Sequence, residues 1–355
     1  MKHPTRNKAI LVMLLILVLT TAVRVKAQTT TEDETTQVDD NTTTDDNTHT
    51  AGDDGSGDDS NNREVNVNVM AFYAEIESQL ESGGTEDSFK IEVVAGSDGV
   101  QFKVGFETET GVNETGREFE VNFKELIEYL DVNGNGVYDD SIDTEVQTLM
   151  LNSFNPIAYT VENTADGPVH VFDVVTTDGV FGAKIYAAGA FTDINGSLIA
   201  PTQVKIDVAI RGFNFTESAS QLALKVEFSS ESEASYDGVT EDEEDGRAVG
   251  ESAVDVSMTD VNGFFSWKET AMIDGVLHQV NSSIHEMSAT EQDIYLNYPQ
   301  GNEIIHDPKI GFENLLIAGG NPLPIVGFLS DNLVPISAGA AIIILGAIVV
   351  VKRRS

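Results

Sequence analysis

The sequence predicts an all-β protein, one or two β-sandwich modules with a single short helix, and three observations carry that reading. Apolar residues alternate with polar ones at period two, as Val65, Val67 and Val69 do in EVNVNVM, which gives a strand one apolar face. Asp-Gly or Asn-Gly pairs punctuate the runs at 166–167, 178–179, 195–196, 237–238, 262–263 and 274–275, and these pairs accept the positive φ angles of tight hairpins. The strand candidates, among them FKIEVVAG, VQFKVGFETET, PVHVFDVVTT, TQVKIDVAIRG and QLALKVEFSS, are short and regularly spaced, the pattern of sandwiches rather than of α/β folds.

The elements follow in chain order. Residues 1–27 read as a signal peptide: a basic MKHPTRNK, an apolar AILVMLLILVL too short to span a bilayer, and VKA before the cleavage point. Arg24 and Lys26 leave an uncleaved anchor open. Residues 28–63 are a Thr/Asp-rich segment whose only sizeable apolar side chain is Val38, so it is expected to be disordered. Residues 64–196 form a first sandwich module and 197–320 a second, with the seam at NGSLIAP; one continuous large sandwich is the alternative. In FKELIEYL, Phe123, Leu126, Ile127 and Leu130 fall at i, i+3, i+4 and i+7, which predicts a two-turn helix over 123–130. Residues 229–252 are an acidic, solvated loop, with partner binding left open. Residues 321–332 are a linker. Residues 333–351 are nineteen residues without a charge, the length of a transmembrane helix, and KRRS at 352–355 is a cytoplasmic tail by the positive-inside rule.

The formal charge is −39, and residues 28–332 hold all 59 acids with 12 of the 20 Lys and Arg, a charge of −47. Such a surface repels nucleic acid and attracts cations and basic partners. With no Cys in the chain, thiol catalysis, Cys-ligated zinc and iron–sulfur centres are excluded. No G-x-S-x-G, H-E-x-x-H, P-loop or G-x-G-x-x-G stands in the sequence. His170 is expected on the polar face of a strand, His278 and His285 on opposite faces of one, and His306-Asp307-Pro308 in a turn. Trp267, two residues from Phe265, is expected in the core rather than on a sugar-binding platform. Sequons for N-glycosylation occur at Asn41, Asn113, Asn195, Asn214 and Asn281.

The candidate site is DVNGNGVYDDSID at 131–143. With Asp131 at position 1, oxygen-bearing residues fall at 1 (Asp131), 3 (Asn133), 5 (Asn135) and 9 (Asp139), and a Gly falls at 6 (Gly136). This spacing resembles the calcium loops of the EF-hand and dockerin families. The resemblance implies a Ca2+ ion held by the side chains of Asp131, Asn133 and Asn135, the backbone oxygen of Val137, and Asp139, with Tyr138 packing behind the loop. Position 12 is Ile142 instead of an acid, so Asp140 or Asp143 is left to close the set. After the loop, DTEVQTLML reads as a strand, so no second hand follows. The alternative is an Asn/Gly turn whose side chains cap the backbone.

The layout resembles prokaryotic, archaeal-type single-pass cell-surface proteins. It implies a calcium-stabilised, membrane-anchored extracellular glycoprotein without enzymatic activity, acting in adhesion, recognition or envelope structure. The implied partners are the membrane, through one helix, and a protein or glycan ligand. A surface-tethered hydrolase acting on glycans or peptides is the alternative.

Overall fold

The Val65, Val67 and Val69 alternation becomes strand β1 (Glu64–Met70), with the valines turned towards the core and Glu64, Asn66 and Asn68 exposed. The computed structural model describes residues 64–316 and 322–324, apart from 83–84, 111–112, 239–249 and 258–261. These belong to one compact unit, and none of them is helical. The expected signal peptide, the Thr/Asp-rich segment 28–63, the transmembrane helix 333–351 and the tail 352–355 lie outside the described residues, as do most of the linker and the centre of the acidic loop. Among the described residues no helix is long and apolar enough to cross a membrane.

The strands continue as β2 (Tyr73–Ser82), β3 (Thr85–Gly96), β4 (Gly99–Thr110), β5 (Asn113–Leu130), β6 (Thr144–Met150), β7 (Ala158–Thr164), β8 (Gly167–Val175), β9 (Phe181–Ala188), β10 (Thr192–Ile194), β11 (Ser197–Ile199) and β12 (Gln203–Arg211). The remainder are β13 (Gln221–Ser230), β14 (Ala234–Asp237), β15 (Glu251–Ser257), β16 (Asn262–Lys268), β17 (Thr270–Ile273), β18 (Val276–Gln279), β19 (Asn281–Ser288), β20 (Glu291–Tyr298), β21 (Glu303–His306), β22 (Lys309–Phe312), β23 (Asn314–Leu316) and β24 (Pro322–Pro324). One sheet runs β1-β2-β3-β4-β5-β13-β20-β19, with β6 also on β5. A second runs β14-β15-β16-β22-β12-β21-β17-β18, with β9, β8 and β7 extending it from β12, and β10-β11 and β23-β24 form two small hairpin sheets.

A single apolar core, from Ala74 to Phe312, joins the two sheets. Phe312 of β22 meets Phe89, Phe106 and Phe119 of the first sheet at 6.3, 5.4 and 5.5 Å between ring centres. Trp267 and Phe265 are fully buried in this core, as their shared parity predicts. Two of the hairpin signals, Asn195-Gly196 and Asp274-Gly275, have positive φ at both residues, the turn that matches strand twist, whereas Asn262-Gly263 is not a turn but the paired start of β16.

Three sequence expectations are corrected. Strands from both sides of residues 195–201 share each sheet: β5 pairs with β13, and β9 with β12. The chain therefore does not divide into 64–196 and 197–320. The single sandwich is what the strands form, because neither half alone supplies two complete facing sheets. The second correction is the helix. Residues 123–130 are the end of β5, and its register against β13 slips between Lys225 and Val226, leaving Lys124 as an extra residue. A β-bulge of this kind resets the alternation, so Phe123 and Leu126 both enter the core while Ile127 and Tyr129 face the other way. A three-residue apolar spacing thus arose from a bulge and mimicked a helix. Third, the flanks of the acidic segment are not loop: residues 229–230, 234–237 and 251–252 belong to β13, β14 and β15.

Gly311 shows how tightly β22 and β12 approach. A Cβ there would lie 2.4 Å from the Thr202 carbonyl oxygen and 2.7 Å from the Gln203 Cα. Both are backbone atoms that cannot yield, so Gly311→Ala is expected to cost about 2–3 kcal/mol, seen as a lower urea midpoint; an unchanged midpoint contradicts the packing.

Candidate metal centre

The 131–143 loop leaves the end of β5 and returns as β6, lying on the outer face of the first sheet. Its first residue organises the turn. Asp131 Oδ1 accepts from the amides of Gly134 (2.7 Å) and Asn135 (3.2 Å), and Oδ2 accepts from the Gly136 amide (2.8 Å). Asn133 Oδ1 accepts from the Asn135 amide and Asn135 Oδ1 from the Val137 amide, at 3.0 and 3.1 Å. Gly134 and Gly136 have φ of +72° and +76°, where a Cβ is penalised. Asp143 closes the loop, its two oxygens accepting from the amides of Val132 (2.9 Å) and Asp139 (2.8 Å). Asp140 and Ile142 are exposed, so of the two acids expected to close the loop, Asp143 is the one engaged in it. The Ser141 hydroxyl and amide donate to Asp139 Oδ1, and these donors hold its carboxyl below the usual carboxylate value.

Tyr138 is the anchor. It is buried and packs between Tyr129 and Tyr295, 5.2 Å from each ring centre, in a small cluster with Ile127 and Ala223. Its amide donates to Asn297 Oδ1 (2.9 Å) and its carbonyl accepts from Ser283 Oγ (3.0 Å). In extended backbone the N–H and C=O of one residue leave on the same side, and the next residue's leave on the other. Both groups of Tyr138 face the sheet. The Val137 amide donates to Asn135 Oδ1 inside the loop.

The donor set suits a hard cation in chemistry: oxygens only, from carboxylate, amide and backbone. Acceptor capacity remains on Asn133, Asn135, Val137, Asp143 and Asp139 Oδ2. Asp131 takes a fourth donor, Gln221 Nε2, at 3.2 Å, and ligation by Asp131 requires giving up one of its donors. Among the described residues no three His, Asp or Glu side chains converge as a metal group. A set built here leans on Asn and backbone oxygens.

A second loop is fixed beside the first. Glu128 is fully buried, and its carboxylate accepts from Ser220 Oγ (2.6 Å), the amides of Glu217 (2.9 Å) and Thr216 (2.9 Å), Thr216 Oγ1 (3.0 Å) and Gln147 Nε2 (2.6 Å). Burial pushes this carboxyl up, but the Ser220, Glu217, Gln147 and Thr216 donors outweigh it and hold it below its ordinary value. Residues 212–220 are thereby tied to the base of the 131–143 loop.

The remaining candidates are dispersed. His278 lies on β18 and His285 on β19, rather than on one strand, and His285 rests on Tyr295. His170 bonds to Tyr159 at 2.8 Å. His306-Asp307-Pro308 is not a turn: β21 and β22 keep one register along β12, His306 opposite Val208 and Lys309 opposite Lys205, so the three residues run in line, with His306 buried and the Pro308 carbonyl accepting from the Ile206 amide. Of the sequons, Asn195, Asn214 and Asn281 are exposed, the Asn113 side chain is not described, and Asn41 is outside the described residues. Sequence reasoning missed Glu128, Gln221, Tyr295 and Asn297 as the seat of the loop, and gave Asn281 only a glycan role. No family model matches the chain, and no curated protein matches it in sequence.

Proposed function

We propose that this is a calcium-stabilised, membrane-anchored extracellular surface protein that acts by binding or by building the envelope, in adhesion, recognition or envelope structure, and not by catalysis. The observation that carries the reading is the 131–143 loop: oxygen donors at calcium-loop spacing, held on a rigid sheet by Tyr138. A loop seated this way suits a structural ion, since its base does not have to move. Residues 333–351 supply the anchor, and the acidic exterior and the sequons at Asn41, Asn113, Asn195 and Asn214 suit an exposed glycoprotein. Neutral Asn ligands point to weak affinity, in the range of about 10⁻⁴–10⁻³ M of extracellular modules.

A melting scan tests the reading. At a calcium concentration roughly 100-fold above Kd, binding adds about 2.7 kcal/mol, and the midpoint rises by about 5 °C over the chelator-treated protein. Asp131→Asn combined with Asp139→Asn removes the rise. A midpoint indifferent to calcium, or a rise that survives the double substitution, defeats the assignment.

A further inference from the structure

The sequon at 281–283 is spent, in the folded chain, on the 131–143 loop. Asn281 Nδ2 donates to the Gly136 carbonyl at 3.2 Å, and Ser283 Oγ donates to the Tyr138 carbonyl at 3.0 Å. Asn281 and Ser283 are two apart on β19, so their side chains leave one face of the strand, and they meet carbonyls two apart on the loop. The fit is close: a Cβ on Gly136 would stand 2.5 Å from Asn281 Nδ2. Asn297 completes the arrangement, donating from Nδ2 to the Asn281 carbonyl (3.1 Å) while its Oδ1 receives the Tyr138 amide.

We infer that Asn281 and Ser283 are the clamp that docks the loop, and that sugar attachment at Asn281 and loop docking exclude each other. Attachment forms a bond from Asn Nδ2 to the anomeric carbon of a lipid-linked sugar phosphate; an N–H proton is lost and the phosphate leaves. The nitrogen that must react is the one bonded to Gly136, and the hydroxyl that defines the motif is bonded to Tyr138. Among the described residues, only the hydroxyl is engaged at Asn214 and Asn195, Thr216 with Glu128 and Ser197 with Lys268. At Asn281 both groups are. A complete acceptor at 281–283 therefore exists only while the loop is off the sheet. The clamp holds whether or not the loop takes a cation, and runs with calcium and with chelator keep the two ideas separate.

Hydrogen exchange on the full chain, made without glycosylation, tests the clamp. Asn281→Asp and Ser283→Ala each speed exchange of the 136–138 amides about tenfold, the factor that one lost hydrogen bond implies, while β13 amides are unchanged. Ser283→Thr keeps the hydroxyl and the wild-type rates. Wild-type rates in both Asn281→Asp and Ser283→Ala overturn the clamp. The chain is then made in N-glycosylating cells and separated by occupancy at Asn281. Fast 136–138 exchange in the occupied fraction, or no occupied fraction in folded protein, supports the exclusion; an occupied fraction with wild-type protection overturns it.

Discussion

Glu128→Gln lowers the unfolding free energy by about 3 kcal/mol and the thermal midpoint by roughly 6–12 °C. The carboxylate receives donors on both oxygens, and those identified at Ser220, Thr216, Glu217 and Gln147 are all neutral. An amide in its place keeps one acceptor and turns an NH2 group towards donors that already point at that spot. At least two of the donors around this buried carboxylate lose their partner, the buried Ser220 hydroxyl and the part-buried Thr216 and Glu217 amides competing for the one oxygen left, and an unsatisfied donor there costs more than a made bond contributes. The effect is local before it is global. Amides of Thr216 and Glu217 should exchange fast at temperatures where β13 is still protected, because Glu128 is the acceptor that both amides share. Calorimetry with hydrogen exchange reads both, and a variant with wild-type midpoint and wild-type protection at Thr216 and Glu217 contradicts the role given to Glu128.

Acid should unfold the protein through His306. The ring is buried, its Nε2 donates to the Lys268 carbonyl at 2.6 Å, and its Nδ1 accepts from the Tyr298 hydroxyl at 3.0 Å. A carbonyl only accepts, which fixes the neutral tautomer with the proton on Nε2. Burial pushes the imidazole down from 6.5 to about 4, against the upward pull of the Lys268 carbonyl. Between those values the unfolded chain binds a proton here and the folded chain does not. Stability therefore falls as the pH drops from 6.5 to 4, by about 3 kcal/mol in all. Asp307 lies beside it; burial raises its carboxyl, but Lys205 and Lys268 hold it low, so its contribution is also lost on further acidification. Unfolding free energies measured at pH 7, 5.5 and 4 should show the slope, and His306→Gln should flatten it. An equal slope in that variant would place the acid sensitivity elsewhere.

The strands were legible because alternation and Asp-Gly turns are local signals, and the core positions of β1 and β13 follow from parity alone. The end of β5 was not, since a bulge at Lys124 gives Phe123 and Leu126 the spacing of a helix face. The division of the chain was not legible either: pairing of β5 with β13 joins segments about a hundred residues apart, and nothing local announces it. Within the candidate site, the oxygen spacing and the packing role of Tyr138 were visible in thirteen residues. The seat was not. Ser283 and Asn281 reach the loop across 145 positions and Asn297 across 159. Glu128 was one acid among 59, distinguishable only by the donors that folding brings to it.

Whether the 131–143 loop takes calcium is decided by direct titration. Calcium is titrated calorimetrically into the full chain at roughly 0.15 M salt, where diffuse attraction to the acidic surface is screened to within about 8 Å. One saturable site per chain is expected, lost in the Asp131→Asn, Asp139→Asn double variant while its β13 amides stay protected. No saturable site, or one of equal affinity in that variant, would contradict it.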